Sequence, residues 1–217
     1  MLTKRLATTA ACVLAATALS SGVAVAQNAR APRVVVLGDS LSSGHGIGAA
    51  VAFPAVLQER IATAGLGYQV VNAGISGDTS AGALNRVRSA LAGDVRVLVV
   101  AIGGNDGLRG LPVANVKSNV SRIIQTAHAR GVSVVLCGME APPIHGVVYT
   151  TAFHNVFPEL AARYQVMLVP FLLQNVITDP AMLLPDRVHP NAAGARRIAD
   201  NVWPYLEPVL RALAAQP

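Results

Sequence analysis

Short unbroken apolar runs alternate along the chain with longer stretches in which apolar residues recur at helical spacing. Val34 to Leu37 is such a run, three of its four residues β-branched, as suits a strand buried on both faces of a parallel sheet. Further strands are expected at Tyr68–Asn72, Val95–Ile102, Val132–Cys137 and Val166–Val169. The third is apolar throughout from Val97, which predicts a central place in the sheet. Helical spacing marks Phe53–Ala64 (Val56, Leu57, Ile61), ending at Gly65. A second helix runs from a cap at Asp78 or Thr79 to about Leu91, and a third from Pro112 to Arg130, closing at Gly131. A fourth covers Thr151–Arg163, and the last begins at Pro190 or Asn191 and continues through Ile198 and Val202 toward Leu213. Strands alternating with crossover helices give an α/β protein: a three-layer α/β/α domain, with no internal repeat, low-complexity tract or linker.

The N-terminus stands outside this alternation. Lys4 and Arg5 precede an uncharged Ala- and Leu-rich stretch from Leu6 to Leu19, and Ala24-Val25-Ala26 offers a small-x-small cleavage pattern. Residues 1–26 are expected to be a signal peptide, and 27–217 a single domain of an exported, periplasmic or secreted protein. The apolar part is shorter than the roughly 20 residues of a membrane-spanning helix, so no integral span is expected after processing. Losing Lys4 and Arg5 leaves 15 basic against 11 acidic residues, a balance of +4. The arginines are scattered and aromatic residues are few, which does not suit nucleic-acid binding. Cys137 alone survives cleavage, which rules out an internal disulfide or a cysteine metal site.

Chemistry gathers where the predicted strands end. After Leu37 the chain reads Gly38-Asp39-Ser40-Leu41, so a serine leaves the carboxyl end of the first strand, where ligands bind in open α/β sheets. Ser40 is the candidate nucleophile, although Gly38-x-Ser40-x-Ser42 lacks the second glycine of an α/β-hydrolase elbow. His189 is the candidate base, with Asp186 three residues earlier to orient it and stabilise its imidazolium. A histidine base predicts activity that rises from mildly acidic to neutral pH. Asn105, among glycines at the end of the third strand, and the N–H groups of Gly77 and Ser40 are candidate oxyanion donors. Taken singly, each has a plainer reading: a strand-end turn, a surface histidine, a helix cap.

Taken in order, Gly38-Asp39-Ser40-Leu41, Gly77, Gly103-Gly104-Asn105-Asp106 and Asp186-x-x-His189 resemble the four sequence blocks of the SGNH (GDSL) hydrolase superfamily. The resemblance spans nearly the whole mature chain and is strongest to its bacterial periplasmic thioesterase/lysophospholipase and arylesterase branch. Asn72 through Ser80, Gly103 through Gly110, Met139-Glu140-Ala141-Pro142-Pro143 and the HPNAAGA run from His189 all match that branch. The resemblance implies a flavodoxin-like five-stranded parallel sheet and cofactor-free hydrolysis of esters and thioesters. It also implies Ser40, Asp186 and His189 as the triad and Ser40, Gly77 and Asn105 as the oxyanion hole. The loop with Gly107, Leu108, Arg109 and Leu111 corresponds to an acyl-contacting segment in relatives; Ile144 and Arg187 are further candidate substrate contacts. Three departures bear on specificity: Arg187 replaces a usual glycine, His45 stands where tyrosine is common, and Ile144-His145 interrupts the usual polar stretch after the double proline.

Other classes fit less well. Gly44-x-Gly46-x-x-Ala49 mimics a dinucleotide fingerprint, but it starts six residues after the strand ends and no acidic residue lies between Glu59 and Asp78. The chain has no Gly-Lys-Ser/Thr phosphate loop, and its five histidines show no paired metal-ligand spacing. A carbohydrate O-acetylesterase and a non-catalytic binding module of the same fold remain as rivals. The apolar loop residues Leu108, Leu111, Ile144, Val147, Leu183 and Leu184 favour an acyl or aryl ester, or a lipid substrate, over a sugar.

Overall fold

Five parallel strands form one sheet in the computed structural model, which describes residues 31–215. The signal-peptide expectation, over residues 1–26 with Lys4 and Arg5, lies outside the described residues. The strands are β1 (Arg33–Gly38), β2 (Gln69–Gly74), β3 (Val95–Ala101), β4 (Ser133–Cys137) and β5 (Met167–Val169). They lie in the order β2-β1-β3-β4-β5, so the run judged central from its apolar content is the middle strand. Val34–Leu37 of β1 and Val97–Ala101 of β3 are fully buried, as strands covered on both faces must be.

Among the described residues, seven α-helices connect and cover the sheet: α1 (Ser40–Ser43), α2 (Phe53–Thr63), α3 (Ser80–Ala90), α4 (Gly104–Leu108), α5 (Val113–His128), α6 (Val147–Tyr164) and α7 (Ala192–Ala214). α2 packs against α7, while α3, α5 and α6 pack side by side, giving the outer layers of an α/β/α sandwich. The buried stripe of α5 (Val116, Val120, Ile123, Ile124, Ala127) follows the helical period that revealed it. α6 begins at Val147, four residues before the expected Thr151, because Gly146 supplies the turn (φ 82°) that admits the chain. Val147 and Val148 are exposed in that first turn, so no apolar face announced it. Thr79 and Asn191 cap α3 and α7 with their side-chain oxygens.

The connection from β1 goes outward to β2, then back across to β3 on the other side of β1. The chain therefore changes direction between β1 and β3, and their carboxyl ends frame a crevice. The segments leaving those two ends carry Ser40 and Asn105.

Candidate active site

Ser40 is the first residue of α1, so its N–H has no partner within the helix. α1 lies unusually close to the sheet edge, and this requires glycine beneath it. A Cβ on Gly38 would stand 2.0 Å from Ser42 Oγ, and one on Gly74 would stand 2.4 Å from the Ser43 nitrogen. Asp39 caps the helix by accepting from the Leu41 N–H (3.0 Å) and is 1 % exposed. Burial pushes its carboxyl up to about 6, against the opposing pull of the Leu41 N–H and of His189.

His189 arrives from the far end of the chain. Its Nε2 lies 3.1 Å from Ser40 Oγ and its Nδ1 2.7 Å from Asp186 Oδ2. Asp186 Oδ1 also accepts the backbone N–H groups of Val188 (2.9 Å) and His189 (3.0 Å). These donors, with the histidine ring, hold the Asp186 carboxyl well below the usual carboxylate range. A carboxylate can only accept, so Nδ1 carries the ring proton and Nε2 is free to accept from Ser40. The carrying loop is closed by the Leu184 N–H on the His189 carbonyl (2.8 Å) and the Arg187 N–H on the Leu184 carbonyl (2.9 Å). Arg187 takes the left-handed conformation there (φ 57°), which a glycine would adopt without strain.

Asn105 opens the second turn of the site. Its Nδ2 donates to the Asp78 carbonyl at 2.9 Å and, at a longer 3.4 Å, to Asp39 Oδ2. One N–H is thus firmly anchored, and the other is loosely held at the crevice. Gly103 before it needs φ 119°, open only to glycine, to aim the turn. Gly77 is exposed in the loop before α3 (φ 78°), and its carbonyl accepts from Arg109 Nη2 at 3.0 Å.

A cavity of about 450 Å³ opens beside these groups, with Asp39, Ser40, Leu41, Gly104, Asn105 and His189 on one wall. Leu108, Met139, Ala141, Pro142, Pro143, Phe171, Leu173, Ile177 and Val188 form the apolar remainder, with Glu140 at its edge. Of the six candidate substrate contacts, only Leu108 lines this cavity. Gly107 is buried against Ala141 and Phe153, and Arg109 is turned to Gly77. The Leu111 carbonyl accepts from Tyr149 at 2.8 Å, Ile144 is 84 % exposed outside the cavity, and Arg187 is exposed on the histidine loop. Of the other apolar loop residues named from the sequence, Val147, Leu183 and Leu184 are also absent from the lining.

Arg86, on α3, supports the site without any signal in the sequence. Its guanidinium donates to Asp78 Oδ2 (2.8 Å), to the Ala73 carbonyl (2.6 Å) and to the Gly38 carbonyl (2.8 Å). It ties the ends of β1 and β2 to the residue whose carbonyl anchors Asn105. An arginine in the middle of a helical pattern reads as surface, and nothing local signals otherwise. Asp106, in the turn after Asn105, is 2 % exposed and accepts from the Ser80 N–H (2.8 Å) and Oγ (2.6 Å), fixing α3 against that turn.

An open parallel sheet that delivers a serine to its switch point, met by a histidine–carboxylate pair from the last loop, defines a serine hydrolase of the three-layer class. The chain belongs to the GDSL-like Lipase/Acylhydrolase family, which it matches over residues 36–197. It is 43 % identical over 189 residues to Esterase TesA of Pseudomonas aeruginosa, a match covering 87 % of this chain and 94 % of that protein. It is 35 % identical over 183 residues to Thioesterase 1/protease 1/lysophospholipase L1 of Escherichia coli K12, covering 84 % and 86 %. A crystal structure of TesA superposes with a TM-score of 0.78 at 42 % identity, covering 82 % of this chain and 99 % of that one.

Proposed function

We propose that the chain hydrolyses carboxylic esters and thioesters through an acyl-enzyme on Ser40. The observation that carries this reading is the continuous relay from Asp186 through His189 to Ser40, 2.7 and 3.1 Å long, at the wall of an apolar cavity. Ser40 Oγ attacks the substrate carbonyl as its proton passes to His189 Nε2. Asp186 holds the ring and offsets the charge of the imidazolium. The N–H groups of Ser40 and Gly77 and the amide of Asn105 receive the oxyanion. Collapse expels the alcohol or thiol, which takes the proton from Nε2, and water then releases the acid with His189 again as base.

A cavity of about 450 Å³ with mainly apolar walls suits an aryl group or a short-to-medium acyl chain, and the acyl chain of a lysophospholipid is compatible with it. Gly107 to Leu111 form a strap beside it, with Leu108 as the acyl contact; Ile144 and Arg187 stand further out as contacts for larger substrates. The chemistry needs no cofactor, since every proton-handling group is a side chain of this chain. No helix among the described residues is long and apolar enough to cross a membrane. Cleavage of a signal peptide after Ala26 would place the domain in the periplasm or outside the cell.

Hydrolysis of p-nitrophenyl esters from acetyl to palmitoyl, with Ser40→Ala alongside, tests this reading. Turnover that falls to background in the variant, with an optimum at short or medium chains, is expected. Turnover retained in Ser40→Ala would overturn it, and failure on every ester with activity on acetylated sugars would point to a carbohydrate esterase.

A further inference from the structure

The glycine-rich loop after α1 brings a second histidine to the catalytic base. The His45 ring lies against the His189 ring, centroids 4.3 Å apart and planes tilted by 41°. The approach is built into the backbone. The His45 N–H donates to the Ser40 carbonyl (3.1 Å), and Gly44 adopts the left-handed turn that closes α1. Gly46, next along, sits so close to Leu184 that a Cβ there would meet the leucine methyl at 2.5 Å. The two loops are thus packed on one another, with His45 and His189 side by side at the seam.

One ligand atom from each of His45, Asp186 and His189 lies within 4.8 Å of the other two. His45 and Asp186 are exposed and His189 is half-buried, so a solvated ion can reach all three. Two imidazoles and a carboxylate suit zinc and similar borderline divalent ions, whereas magnesium prefers oxygen ligands alone. Zinc bonds of roughly 2 Å place neighbouring ligand atoms about 3.3 Å apart, so the three groups need to draw together by at most about 1–2 Å.

We propose that His45, Asp186 and His189 form a binding site for zinc-like divalent ions, and that an ion held there switches hydrolysis off. The switch rests on the reading of His189 as base; the binding does not. An ion on Nε2 occupies the lone pair that must take the Ser40 proton. An ion on Nδ1 displaces the ring proton to Nε2, which then faces Ser40 as a donor. In the second case Asp186, hydrogen-bonded to Nδ1, is drawn to the metal as well. In both cases the base is lost, and the only covalent change in the protein is the transfer of the ring proton from Nδ1 to Nε2 in the second.

Zinc titration of the full chain by calorimetry at neutral pH, paired with ester hydrolysis in the same samples, tests the proposal. His45 is exposed, so His45→Phe keeps a ring at the seam without disturbing the core. The expected result is one ion per chain, bound roughly tenfold or more weakly by His45→Phe. Inhibition should follow the same zinc range, measured against each protein's own zinc-free rate, with reversal by a chelator and no response to magnesium. Absence of binding, or equal affinity in the two proteins, would overturn the site. His45-dependent binding in a chain that hydrolyses no ester would leave the site standing and defeat the hydrolase reading instead. His45-dependent binding that leaves ester hydrolysis untouched would overturn the switch.

Discussion

Two aspartates flank the Ser40–His189 pair, and they are held in opposite ways. Asp39 sits in the floor of the crevice, 1 % exposed, and burial raises its carboxyl to about 6. Asp186 is exposed on a loop, yet two backbone N–H groups and the His189 ring hold its carboxyl well below the ordinary range. Burial decides the first and donors aimed at the oxygens decide the second, so the exposed aspartate is the dependable anion. The same contrast separates the halves of the site. The Ser40 half is built on strand ends locked by Gly38, Gly74 and Arg86, and the His189 half is a short surface loop closed by its own hydrogen bonds.

The contrast breaks most sharply at Asp186. Asp186→Asn removes the fixed carboxylate and lets the ring take the wrong tautomer, so kcat is expected to fall about 10⁴-fold while the fold persists. Steady-state kinetics beside a thermal melt check it; a loss below about tenfold would mean the orienting charge comes from elsewhere. Asn105→Ala takes away the loosely held amide N–H on the buried side and should cost about 10²–10³ in kcat, with KM little changed.

Asp39 sharpens the comparison through stability. Its folded carboxyl titrates near 6 against an ordinary 3.8, so between these values the folded chain holds a proton that the unfolded chain releases. Stability from this group is therefore greatest below pH 3.8 and falls as pH rises to about 6, then levels. The full excursion is about 3 kcal/mol. Asp39→Asn should lack this fall, so the variant gains on the wild type from pH 4 to pH 7 in urea denaturation. Asp186 acts with the opposite sign: its contribution is present above its ordinary 3.8 and is lost as pH falls toward its lower folded value. The smallest effect is expected on the loop itself. Arg187→Gly relieves the left-handed strain at φ 57° and should raise stability by about 0.5–1 kcal/mol, visible as a small rise in Tm.

Much of this architecture was legible in the chain. β1 and β3 declared themselves because strands buried on both faces must be apolar without interruption, and α5 because one face of it must not be. The meeting of Ser40, Asp186 and His189 was legible because Ser40 follows a strand end directly and because Asp186 and His189 are close enough in sequence to meet within one loop. The cavity was not. Its walls come from the turn after β4 (Met139, Pro142), from the loop after β5 (Phe171, Leu173, Ile177) and from Val188, which only the finished sheet brings together. The apolar character of Ile144 suggests a substrate contact, but the residue is exposed in the turn before α6, outside the cavity lining. α1 and α4 are one-turn helices of small and polar residues, too short to show a period. Arg86 and the contact of His45 with His189 join distant segments, and no local pattern encodes either.

The central claim is that Ser40 is the nucleophile and is activated by a base from the other half of the site. Intact-mass analysis and peptide mapping after incubation with an aryl phosphonate ester test it most directly. The account predicts one phosphonyl group per chain, on Ser40, with loss of the aryl alcohol, none on Ser40→Ala, and markedly slowed labelling in His189→Ala. Labelling at another residue, or continued ester turnover with Ser40 fully blocked, would contradict it.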